Sequence, residues 1–111
     1  MTLASGLFKL SIATPGADTA YGVAYMADGK LRGGDSGMAY VGTYKLQGDK
    51  LTAELCITQH RHVPGVVSAL GYNDLTVQLE GVAGDYSADV RGTSKDVPSV
   101  RFQARLSHIA D

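Results

Sequence analysis

The sequence predicts an all-β fold, an antiparallel up-and-down barrel of about eight strands, and three observations lead to it. Apolar and polar residues alternate with period two from one end of the chain to the other. Glycine and aspartate interrupt that alternation about every ten residues, as turns between strands do. The interruptions are short at one end of the implied meander and long at the other, which describes a small cup with a mouth. At 111 residues the chain has room for one domain, residues 1–111, and one modest core.

The strands follow in order. Phe8, Leu10 and Ile12 mark the inward face of the first. The second runs near residues 20–27 and the third near 30–33, joined through "MADGKL". A two-residue Asp28-Gly29 loop would put Met26 beside Leu31, whereas a type I turn closed by Gly29 pairs Met26 with Lys30. The second register is preferred, because it turns the bulky Tyr21, Val23 and Tyr25 inward and leaves Gly22, Ala24 and Met26 outside. Met38, Tyr40, Gly42, Tyr44 and Leu46 give the fourth strand its inner face, and Leu51, Ala53, Leu55 and Ile57 the fifth. Between them a two-residue Gly48-Asp49 loop leaves Leu46 and Leu51 both facing in, which agrees with the alternation on either side. Leu75, Val77 and Leu79, then Tyr86, Ala88 and Val90, then Val100, Phe102, Ala104 and Leu106 complete the set. One short helix is expected, in "VPGVVSALG" between the fifth and sixth strands.

Composition narrows the function classes. Ten basic against eleven acidic residues give a net charge of -1, without the basic footprint that nucleic-acid binding requires. No run approaches the roughly 18 apolar residues of a membrane-spanning helix. The single Cys56 cannot form an internal disulfide, and "MTLASGLFKLSIATPG" lacks the basic and apolar regions of a secretory signal. A reduced, cytoplasmic protein is expected, with neither DNA nor membrane as direct partner.

The candidates for chemistry are few. Gly34-Asp35-Ser36-Gly37 spells the tetrapeptide around the nucleophile of trypsin-like proteases. Such a site needs a histidine and an aspartate earlier in the chain and a larger scaffold, yet no histidine precedes His60 and Met38 stands where the protease pattern has glycine. The reading preferred is a sharp corner in which Gly33, Gly34 and Gly37 give backbone freedom while Asp35 and Ser36 bond nearby amides. His60 and His62 have the spacing of paired zinc ligands, but an alternating barrel puts them at the mouth and His108 at the closed end, so no metal or other cofactor is expected. Cys56 takes the outward parity of its strand. Tyr21, Tyr25, Tyr40, Tyr44 and Tyr86, with Phe102, would line the interior, either as a partly polar cavity for a small ligand or as rings that fill the core. Outside, Met26 on the second strand and Ala39, Val41 and Thr43 on the fourth form the least polar flank, on which a two-fold homodimer is expected.

"GLFKLSIATP", "ADGKLRGGDSGMAYVGTYKLQGDKLTAEL" and "VRFQARLSHIAD" together resemble the GrlR-like family, named for a negative regulator of type III secretion genes. The most specific parts are the corner from Gly33 to Ser36 and the Tyr40-x-Gly42-x-Tyr44 strand after it. The resemblance implies an eight-stranded lipocalin-like barrel, a homodimer, and a regulator that sequesters a transcriptional activator. In the founding member four acidic residues, in the turn after that strand, make the contact. Here the turn is Gln47, Gly48, Asp49 and Lys50, with one acid offset by one lysine. The function expected is that of a non-enzymatic regulator or adaptor that binds a protein; the alternative is a small-ligand carrier or sensor that uses the barrel interior.

Overall fold

Among the described residues eight strands form where the alternation predicts them: β1 (Gly6–Ala13), β2 (Ala20–Ala27), β3 (Lys30–Gly34), β4 (Met38–Gln47), β5 (Lys50–Gln59), β6 (Asp74–Ala83), β7 (Ser87–Thr93) and β8 (Arg101–Ala110). The structure, a computed structural model, describes residues 3–16, 19–61 and 74–111. Each strand pairs antiparallel with the next, and β1 pairs with β8 to close the barrel. Closure satisfies the backbone groups that an open sheet edge would leave exposed. No helix occurs among the described residues, so none there can span a membrane; the helix expected at 63–71 lies outside them. Tight turns at 28–29, 48–49 and 84–86 share one end, and the longer connections share the other.

The hairpins decide which side chains face in. Gln47 pairs with Lys50 and Gly48 has φ 64, so the β4–β5 connection is the two-residue loop expected. The β2–β3 connection corrects the sequence reading. Ala27 pairs with Lys30 and Met26 with Leu31, while Asp28 (φ 53) and Gly29 (φ 78) both adopt positive φ, the signature of a type I′ turn. Met26 and Ala24 are therefore buried, and Tyr21, Val23 and Tyr25 face solvent. Side-chain bulk misled the assignment because the interior beside β2 is filled from elsewhere. The Tyr40 ring occupies the space over Gly22, where a Cβ would come within 3.2 Å of it. Small inward residues on β2 complement large ones on β4 and β1.

The rest of the core follows the predicted parity. Phe8, Met26, Leu51, Leu106 and Val77 are its largest fully buried side chains. Tyr86 does not join them: β7 starts at Ser87, Gly84 donates to the Ser87 carbonyl in the turn, and the alternation of Ala88 and Val90 stops there, leaving Tyr86 65% exposed. At the opposite end β7 reaches only as far as Gln78 on β6. Beyond it the 94–100 loop takes over, with Ser94 Oγ donating to the Thr76 carbonyl (2.6 Å) and the Thr76 amide donating to Asp96 (3.3 Å). These contacts satisfy backbone groups that the shorter strand leaves behind.

Candidate functional surface

The Gly33–Ser36 corner is held by the side chain of Asp35. One carboxylate oxygen accepts the amides of Gly37 (2.9 Å) and Met38 (2.8 Å), and the other accepts the Tyr40 hydroxyl at 2.6 Å. Alternation sends Tyr40 inward from β4, so its ring is buried while its hydroxyl reaches back to the corner. Burial pushes the Asp35 carboxyl up, but the Tyr40 hydroxyl, the two amides and the charge of His60 outweigh it and hold the group below its ordinary value. Burial, then the hydrogen bond and charge of Asp35, push the Tyr40 phenol well above its own, so it stays a donor. His60, just past β5, clamps the corner twice: its amide donates to the Gly37 carbonyl (2.9 Å) and its Nε2 to the Asp35 carbonyl (3.0 Å). The corner is a latch between two loops. Its fourth residue, Ser36, is exposed.

Gly33 and Gly34 serve this corner by allowing close approach. Neither has positive φ; a Cβ at Gly33 would strike the Val23 carbonyl, and one at Gly34 the Met38 carbonyl.

The six residues expected to line an interior cavity do not converge. Tyr40 and Phe102 are buried and Tyr44 is half-buried, but Tyr21, Tyr25 and Tyr86 are 64%, 47% and 65% exposed. For Tyr21 and Tyr25 the cause is the β2–β3 turn. His60 and His108 lie at opposite ends as expected, and His62 lies outside the described residues. His108 is packed edge-on against Phe8 (5.2 Å) and Tyr86 (5.6 Å) and donates to the Ser5 carbonyl.

A depression of about 1310 Å³ lies on the outside of the barrel. Its lining takes two outward residues and the inward residue between them from successive strands: Thr43 and Lys45 around Tyr44, Gln78 and Glu80 around Leu79, Arg101 and Gln103 around Phe102. A lumen would show the opposite parity. The hollow is a saddle of the twisted sheet, continued by a second of about 420 Å³ over β6, β7, β8 and β1.

A different outer face is apolar. The pairing sets Leu7, Tyr25, Arg32 and Val41 in one row across β1 to β4, and Val23, Gly34 and Ala39 in the next. Val23 and Val41 are 43% and 44% exposed. Arg32 lies along the barrel, its guanidinium donating to the Leu31 and Gly42 carbonyls. This is the flank expected for dimerisation, with one correction: Ala39, Val41 and Thr43 stand on it, but Met26 is 1% exposed and belongs to the core. The tyrosines replace it.

The Gln47–Lys50 turn is exposed and tied down. Ala83 donates to the Asp49 carbonyl (2.7 Å), and Lys50 faces Glu80 at 3.5 Å.

No family model matches the chain, and no curated protein is significantly similar to it.

Proposed function

We propose that this protein is a non-enzymatic regulator or adaptor that binds other proteins through the outside of its barrel and is itself a homodimer. One observation carries this reading: an interior packed with apolar side chains among the described residues, combined with an outer face that exposes Tyr21, Val23, Tyr25 and Val41. Aromatic residues grouped on an exposed face are what protein interfaces use, since they bury large areas at low entropic cost. A second copy related by a two-fold axis meets this face with the same face. Lys9 and Thr43 at its margin would supply the polar rim that a stable interface of about 800 Å² per partner needs.

Within this reading the GrlR-like resemblance suggests cytoplasmic sequestration of a transcriptional activator. The founding member's acidic contact has no counterpart at Gln47–Lys50, so this reading puts the partner surface elsewhere on the barrel. The carrier alternative needed tyrosines inside, and three of them are outside.

Sedimentation equilibrium tests the dimer. The native chain should sediment as a dimer at micromolar concentration, and Tyr25→Glu with Val41→Glu as a folded monomer. A native monomer, or a dimer that survives both substitutions, would remove this face from the proposal.

A further inference from the structure

We infer that the large outer depression binds an extended peptide segment of a partner protein, one that carries acidic and basic residues about four positions apart. The inference rests on the protein-binding reading above and names the chemistry of the partner.

The hollow is polarised. Glu54 on β5 and Glu80 on β6 stand on one side, Arg91 on β7 and Arg101 on β8 on the other. All four side chains are exposed. The arginines differ from their neighbours. Arg105, further along β8, is saturated by both oxygens of Asp89 at 2.7 and 2.9 Å, and Arg32 is folded onto backbone carbonyls. Among the described residues neither Arg91 nor Arg101 has an ion pair within 4.0 Å, although Glu80 sits opposite Arg91 in the ladder. Two planar guanidinium groups without carboxylate partners line one wall of a concave site. Such groups recognise carboxylates in bidentate fashion.

Spacing sets the length of the segment. Glu54, Gln78, Thr93 and Arg101 are successive partners in one row, so three inter-strand steps, roughly 14 Å, separate the Glu54 and Arg101 positions. An extended chain covers that distance in about four residues. A peptide lying across the strands therefore presents its acid to Arg91 and Arg101 and its base to Glu54. Glu80 is partly met by Lys50, an exposed pair of small value. A polyanion fits less well, because the carboxylates share the same hollow and would repel it.

The test is an amide-shift titration of the full chain with capped glycine-serine peptides of about ten residues. One carries two aspartates followed, about four positions on, by two arginines; the others carry aspartates at both places or arginines at both. An oligouridylate is the nucleic-acid arm. The mixed peptide should perturb amides around Glu54, Arg91 and Arg101, and should bind at least about fivefold more tightly than either uniform peptide, which is the value of two exposed ion pairs. Arg91→Gln with Arg101→Gln should remove that preference while the remaining spectrum is unchanged. Equal or tighter binding of the acidic peptide or of RNA, shifts confined to the Tyr21–Tyr25 face, or no shifts at millimolar peptide would each overturn the inference. If the hollow fails while the native chain still retains a stoichiometric protein partner, only the hollow is wrong.

Discussion

Replacing Tyr40 by phenylalanine removes a single oxygen from the latch and leaves the ring in place over Gly22. Asp35 then loses the 2.6 Å donor to one carboxylate oxygen and keeps the Gly37 and Met38 amides on the other. A hydrogen bond to a charged group contributes about 1.5–3 kcal/mol, and because water can reach the partly exposed carboxylate the contribution falls to the bottom of that range or just below it, about 1–2 kcal/mol. For a domain of this size that is a fall of roughly 5–8 °C in Tm. The loss also depends on pH. The folded Asp35 is held below its ordinary pKa, so its stabilising contribution is complete above about 4, the unfolded value, and disappears as pH falls through the folded value. Urea denaturation of the native chain and Tyr40→Phe at neutral pH and at acid pH below the folded value measures both effects. The gap should be full at neutrality and shrink in acid. A gap under about 0.5 kcal/mol at neutral pH, or one of the same size in acid, would show that Asp35 is not the group the hydroxyl serves.

Three further outcomes follow from the same geometry. Met26→Ala should cost about 2–4 kcal/mol by chemical denaturation and Tyr25→Ala under about 1, an order that the alternative β2 register would reverse. Gly34→Val should cost about 2 kcal/mol or more, from collision with the Met38 carbonyl rather than from an unfavourable φ. Ser36→Ala should stay within about 0.5 kcal/mol of the native chain, and a fluorophosphonate probe should leave Ser36 unlabelled; labelling would reopen the protease reading.

The sequence was most legible where a turn and an alternation agree. Leu46 and Leu51 face in on either side of Gly48-Asp49, and β4, β5 and their pairing follow from that agreement. At β2 the two signals conflict: Tyr21, Val23 and Tyr25 are the bulky parity, but Asp28-Gly29 is the pair that favours a type I′ turn. Turn stereochemistry prevailed, since it fixes the twist between the strands, while bulk can be accommodated on an outer face. The Asp-Gly dipeptide was the signal that would have placed the tyrosines correctly. The latch was half visible. Asp35 as a turn residue could be read from the corner, but that Tyr40 reaches back to it, and that His60 clamps it from 25 residues away, depends on curvature that no local pattern encodes. The hollow was invisible for the same reason, as its arginines and glutamates alternate like any solvated face.

The most direct test of binding through the outer face is a quantitative pull-down from a native cell lysate, with mass spectrometry of the co-purifying proteins and of any extracted small molecule. The native chain should retain one protein partner in near-stoichiometric amount besides its own second copy, and Arg91→Gln with Arg101→Gln should lose it while remaining a folded dimer. A small molecule recovered in stoichiometric amount from both forms, with no protein enriched by the native chain, would contradict the account.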